Sequence, residues 1–371
     1  MLSIWTGFAD LPDPRRGNAQ RHRLLDVLTI ALTATICGAE SCVDFADFAR
    51  DREALFREFL ALPNGLPSHD TFSRLFRLLD PAAFAACFAR FLDGLGACGP
   101  GMIAIDGKTL RRSFDRAAGQ SPLHVITAFA TEARVVIAQV AAADKESEIM
   151  AARSLLGLLE LDGVLVTGDA LHCQGETARL IAQRGGKWLF PLKDNRPAQR
   201  AEVEQWFADP LNRPHSEHLT TDAEHGRIEV RRHVVSHDVD WLCADRRFPH
   251  QSAMPGVAMI GMVEATVTRD GRTSTLRRFY LSSAPMHAAG FAAAVRAHWR
   301  IENSLHWVLD VGFDEDRARN RRDHGPQNLT TLRKLALNVL RSARPDISIR
   351  RKRKRSGWSD QFARSVLGQM R

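Results

Sequence analysis

Three carboxylates have the types and surroundings that could do chemistry. Asp106 closes the apolar run "MIAID", Asp169 ends "VLVTGD", and Glu302 lies inside "HWRIENSLHWVLDVGFDED". Each aspartate is followed by a small residue, Gly107 or Ala170. Carboxylates fixed at strand ends are hard oxygen donors of the kind Mg²⁺ prefers, and a small neighbour leaves room for a phosphate to approach. A single strand-end Asp is ordinary turn chemistry; two on adjacent strands would be a site. Glu302 is read on a helix whose core stripe is Ala294, Ala297, Ile301, Leu305 and Val308. His298, Glu302 and His306 form an i, i+4, i+8 column along its flank. The plain alternative for Glu302 is a solvated edge residue.

The elements that would position these residues follow from periodicity. "MIAID" (102–106), "LHVITAFAT" (123–131) and "ARVVIAQVAA" (133–142) read as three strands, followed by the helix "ESEIMAARSLLGLLELD". Strand "VLVTGDA" (164–170), helix "GETARLIAQRG" and strand "KWLFPLK" (187–193) complete the series. Three antiparallel strands, then helix, strand, helix, strand is the order of an α/β, RNase H-like domain with a mixed five-stranded sheet and helices. In that fold the first and fourth strands are neighbours, which brings Asp106 and Asp169 to one sheet edge. A β-rich insertion at about 195–285, with strands at "GRIEVRRHVVS", "VAMIGMVEATVTR" and "TSTLRRFYLSS", separates Asp169 from the helix of Glu302.

Residues 1–95 read as an N-terminal all-α domain, with a Gly/Pro hinge at "GACGPG". The catalytic domain then spans 100–345. Within the first segment, "GLPSHDTFSRLFRLLD" gives a turn and a basic amphipathic helix. With Arg74 and Arg77 exposed, that helix is either a recognition helix or an ordinary bundle helix. The end of the chain, 346–371, carries "RRKRKR" (350–355), read as a solvated, mobile tail adding phosphate affinity. Fifty-one Lys+Arg against 43 Asp+Glu give a net charge of +8, which favours polyanionic partners, nucleic acid first. The apolar run "LLDVLTIALTATICGA" is too short to span a membrane, and the N-terminus lacks a signal-peptide layout. A cytoplasmic protein is expected. The six cysteines (Cys37, Cys42, Cys87, Cys98, Cys173, Cys243) contain no C-x-x-C pair and read as small buried apolar residues. A zinc centre from His172, Cys173, His298 and His306 lacks a compact ligand motif.

Taken together, "IAIDGKTLRRS", "GDALHCQ", "LFPLKDNRP", "HGRIEVRR", "HWRIENSLHWVLDVGFDED" and "LRKLALNVLR" resemble bacterial insertion-sequence transposases of the DDE type. The nearest group is the ISAs-type and H-repeat-associated one. The N-terminal "LPDPRRG" and "LPSHDTFSRLF" resemble the helical domain preceding the catalytic domain there. The resemblance implies that Asp106, Asp169 and Glu302 are the catalytic and metal-binding triad, holding Mg²⁺ or Mn²⁺, two ions in all. It implies cleavage of double-stranded DNA at element terminal inverted repeats and strand transfer into target DNA, with a homodimer in the active complex. The wider superfamily often carries an Arg four residues before the glutamate and a Lys about seven after it; here those places hold His298 and Leu309. Candidate DNA contacts are Lys108, Lys193, Arg300 and His306 near the triad, Arg74 and Arg77 in the N-terminal domain, and Arg350, Arg351 and Lys352 in the tail. Trp299 and Trp307 either pack or stack on a displaced base. The readings that compete are a nuclease without strand transfer and an inactive, repurposed DNA-binding descendant.

Overall fold

The computed structural model describes residues 4–94, 101–116, 119–142, 144, 147–224, 227–243 and 254–368. By contact density the chain divides into two units. One comprises Met1–Gly99, Gly107–Ala151 and Glu302–Arg371; the other comprises Pro100–Asp106 and Ala152–Ile301.

The second unit is built on a mixed sheet. β1 (Met102–Thr109), which begins in it, pairs in parallel with β4 (Leu165–Thr167), Met102 opposite Leu165 and Ala104 opposite Thr167. This is the adjacency expected of the first and fourth strands. β2 (His124–Ala130) and β3 (Val135–Ala142) form an antiparallel hairpin in the first unit. β5 (Lys187–Leu192) is parallel to β4. The insertion contributes β6 (Ser216–Glu224), β7 (Arg227–Ser236), β8 (Met259–Arg269) and β9 (Arg272–Ser282). Beyond β1 the order is β4-β5-β9-β8-β7-β6. The insertion is therefore no detached subdomain, because β9 pairs antiparallel with β5, Phe190 opposite Leu281, and carries the sheet onward past five strands. Helix Ala288–His298 covers one face of the sheet, with Phe291 packed among Val235, Val263 and Tyr280. Gly261 is required there, since a Cβ would come within 2.6 Å of the Phe291 ring.

In the first unit, helix Leu24–Ile36 is almost wholly buried, so its apolar run is core. No helix among the described residues is long and apolar enough to cross a membrane. The amphipathic stretch after it breaks at Arg52 into Cys42–Asp51 and Glu53–Arg57. Ser41 and Asp44 form a reciprocal cap on the former. Helices His69–Leu78 and Pro81–Gly94 follow. Helix Gly325–Ser342 is central. Asn328 donates to the carbonyls of Phe76 and Leu79, both at 2.8 Å, and the amide of Asn338 bonds both backbone groups of Val136.

The basic stretch near the C-terminus differs from the expectation of a mobile tail. Residues Ile349–Trp358 form a helix capped by Ser348, followed by helix Asp360–Leu367. Lys352 is buried, its Nζ donating to the carbonyls of Leu340 (2.9 Å) and Ala343 (2.7 Å). Arg353 is also buried. Its guanidinium donates to the carbonyls of Thr35, Ala39 and Gly312 and lies over the Phe313 ring. Buried cations persist because these oxygens replace their water.

Candidate active site

The register of β1 and β4 decides where the two aspartates lie. Ala104 is opposite Thr167, so Asp106 and Asp169 each stand two residues beyond the last matched pair. Asp169 lies just past β4, whereas Asp106 lies within β1, which runs on to Thr109 instead of ending at the aspartate as its apolar run suggested. Ligand sites in open α/β sheets form at the carboxyl ends of strands. After β4 the chain makes a tight turn at Ala170–His172, capped by Asp169, whose Oδ1 accepts from the Leu171 amide at 2.9 Å. The Asp169 side chain stays 49% exposed. Gly168 admits the turn, as a Cβ would approach His172 and Ile105 to about 3.0–3.1 Å.

Two histidines complete this cluster. His172 is fully buried, with Nε2 3.9 Å from Asp169 Oδ1. His298, the last residue of helix Ala288–His298, has Nδ1 3.1 Å from Thr167 Oγ1. Burial pushes the His298 imidazole below its ordinary range; the carboxylates of Asp106 and Asp169 pull it up, and His172 pushes it further down. His298 thus sits in the field of both aspartates. In the sequence His298 stands out by its place four residues before Glu302, where the wider superfamily carries an arginine, besides its part in the zinc reading.

Glu302 opens the last segment of the first unit and is exposed. The single uninterrupted helix read from periodicity is not what forms there. Glu302–His306 is a π-helical turn, followed by helix Trp307–Phe313. The wider turn adds a residue to the register. Ile301, Leu305, Leu309 and Phe313 are the buried positions, and Val308 is displaced to half-burial. The column of His298, Glu302 and His306 is broken with it: Glu302 faces solvent, whereas His306 is buried.

The remaining candidate cations divide. In the first unit Lys108 is held by Asp310, by Glu315 Oε2 at 3.3 Å and by Asp316 at 3.9 Å. Burial opposes its charge, but Glu315, Asp310 and Asp316 outweigh burial and raise its pKa. Arg77 is tied to Asp323, Nε to Oδ2 at 2.7 Å. His306 and Lys352 are buried and present no cation to a surface ligand. Arg74, Lys193, Arg300, Arg350 and Arg351 are exposed. Trp299 and Trp307 are exposed as well, so neither is a core residue; Trp299 carries Arg278 over its ring at 6.0 Å. Cys42, Cys87 and Cys173 are buried free thiols, Cys37 is half-buried, and burial pushes Cys37, Cys42 and Cys173 up to about 12. Cys98 and the side chain of Cys243 lie outside the described residues.

As for a metal, the aspartates supply the oxygen chemistry that a hard divalent cation takes. Among the described residues no three His, Cys, Asp or Glu side chains converge on one ion position. The fit is thus one of donor type, with two carboxylates each two residues beyond the last matched pair of β1 and β4.

Comparison with known proteins says what kind of protein carries this α/β domain and its two neighbouring aspartates. Residues 97–339 match the family model described as the transposase DDE domain, and residues 5–92 match the DDE_Tnp_1-associated model. The chain belongs to the DDE transposase family, in its H-repeat-associated group. It is 33% identical to the H repeat-associated putative transposase YhhI of Escherichia coli (strain K12), over 96% of this chain and 95% of that protein. The putative protein YbfL of the same strain gives the same identity and coverage. The putative transposase YncI of Escherichia coli O157:H7 is 33% identical over 96% of this chain and 92% of that protein.

Proposed function

We propose that this chain is an active transposase that binds the ends of a bacterial insertion sequence, cleaves DNA there and transfers the strand to target DNA. The observation that carries the reading is the placement of Asp106 and Asp169, each two residues beyond the last matched pair of the adjacent parallel strands β1 and β4, in a chain of the DDE family. Glu302 is the third carboxylate by its place in the family motif.

Asp106, Asp169 and Glu302 would hold Mg²⁺ or Mn²⁺, as two ions. When bound, such ions stabilise charge on the attacking and leaving oxygens of an in-line displacement at phosphorus. The protein's own residues do the rest. The backbone of the Ala170–His172 turn fixes one oxygen of Asp169 through the Leu171 amide, leaving its other oxygen for a ligand. Gly107 and Ala170 are small and would leave room for a phosphate beside Asp106 and Asp169. His298, hydrogen-bonded to Thr167 and in the field of both aspartates, would help orient the substrate by a hydrogen bond to a phosphate oxygen. Exposed Lys193 and Arg300 add phosphate affinity.

The test is cleavage of duplex DNA carrying the element's own ends, with Mg²⁺. Asp106→Asn, Asp169→Asn and Glu302→Gln should each abolish cleavage while leaving folding and DNA binding largely intact. Wild-type cleavage by any of the three removes that residue from the triad, and strand-transfer products separate a transposase from a simple nuclease.

A further inference from the structure

The N-terminal helices contain a cationic cavity that the catalytic reading does not use. It measures about 120 Å³ and is lined by Arg15, Asn18, Arg21, His22, Thr71 and Arg74, none of them acidic. A single water needs only about 10–15 Å³. Arg15 forms the inner wall and is 2% exposed. Its Nε and Nη2 donate to Asp13 at 2.9 and 2.8 Å, and Nη2 also donates to the carbonyl of His22 at 2.7 Å. Its Nη1 has no hydrogen-bond partner among the described residues. A buried guanidinium N–H left unmet costs free energy.

We propose that this cavity is a phosphate-binding pocket, and that the phosphate it takes is one of the DNA backbone. Asp13 neutralises only one of the three arginines, so the cavity retains net positive charge. His22 feels this field: burial, then Arg15 and Arg21, push its pKa down, against a backbone hydrogen bond at Gly65 and the carboxylate of Asp26. Thr71 stands in the first turn of helix His69–Leu78, whose N-terminal end carries partial positive charge and favours an anion. Arg21 and Arg74 are exposed at the rim, where they can follow a ligand in. A planar guanidinium matches phosphate oxygens in a fork geometry. Arg74 then contacts phosphate and carries no base-reading role, and Arg77 on the same helix is excluded by its pairing with Asp323. The DNA source rests on the function proposed above; the pocket itself does not.

Two measurements on the full-length protein test this, and neither reads cleavage, so a failure of the catalytic proposal leaves both legible. In the first, thermal unfolding is followed in inorganic phosphate and in chloride at matched ionic strength. Phosphate should raise the wild-type Tm saturably above chloride. Arg21→Gln and Arg74→Gln, both at exposed positions, should weaken that phosphate affinity roughly tenfold each, the loss of one charge-assisted hydrogen bond. Equal Tm values in the two salts, or an undiminished shift in both variants, would overturn the pocket. In the second, binding to random-sequence duplex is measured against salt. Arg74→Gln should reduce the slope of log K against log salt by about 0.9, with the preference for element ends unchanged. A slope equal to wild type would overturn the DNA assignment and leave free phosphate as the ligand.

Discussion

The hydroxyl of Thr167 and Nδ1 of His298 share a hydrogen bond of 3.1 Å, joining the last residue of strand β4 to the end of the helix that precedes Glu302. The bond holds the imidazole beside the two aspartates that pull on its proton affinity. Thr167→Val keeps the shape and removes the bond. Stability should fall by only about 0.5–1.5 kcal/mol, while DNA cleavage should fall about tenfold or more if the ring must be oriented for substrate. Urea unfolding and single-turnover cleavage would be measured side by side. Cleavage that tracks stability alone would reduce Thr167 to a packing residue.

Gly107 has a steric reason to be glycine. A Cβ there would lie 2.5 Å from both Glu148 Oε1 and His124 Nε2. Those two are themselves a buried pair at 2.9 Å, with Thr109 on the other ring nitrogen of His124. Gly107→Ala must push the pair aside and should cost about 1–3 kcal/mol by overpacking. Denaturant midpoints would show it; a loss below about 0.5 kcal/mol would mean that the pair yields freely.

Lys334 gives a pH dependence with a definite sign. It is buried, donating to Thr127 Oγ1 at 2.7 Å and Gln139 Oε1 at 2.6 Å. Burial pushes its pKa down from 10.5 to about 8, against the upward pull of Glu315. Between those values the unfolded chain binds more protons than the folded one, so this lysine's contribution to stability rises with pH from about 8 to about 10.5. Below pH 8 the burial cost of its charge is fully present. Relative to wild type, Lys334→Met should therefore become less favourable as pH climbs through that window. A difference between the two stabilities that stays flat from pH 7.5 to 10 would contradict it.

The C-terminal helices should behave as part of the fold. Besides the bonds of Lys352 and Arg353, Arg52 is hydrogen-bonded to Asp360 and to the carbonyl of Gly357 at 2.8 Å. Deleting residues 350–371 should lower thermal stability, not merely weaken DNA binding. Lys352→Ala alone leaves two carbonyls unpaired and should cost about 1–3 kcal/mol. If the truncated chain melts with wild type, these helices are only loosely attached in solution.

How much of this was legible in the sequence depends on the range of the forces involved. The strand-helix alternation from Met102 to Leu192 was, because alternating apolar runs and turn residues act locally. Strand order followed from topology, and with it the alignment of Asp106 and Asp169. β6 was not legible: "SEHLTTDAE" offers Leu219 and Ala223 as its only apolar residues. It is a strand through its ladder with β7, Ser216 opposite Val235 through Glu224 opposite Arg227. The π turn at Glu302–His306 was hidden because apolar residues continue at helical spacing on either side of it. The fate of the basic stretch was hidden most completely. A run of lysines and arginines reads as solvated in any local window. Whether Lys352 and Arg353 can be buried depends on carbonyl oxygens of Leu340, Ala343, Thr35 and Ala39, two of them more than three hundred residues away in the chain. Periodicity determined which elements form. Which charges lose their water was settled only by tertiary packing, since the replacement partners come from distant segments.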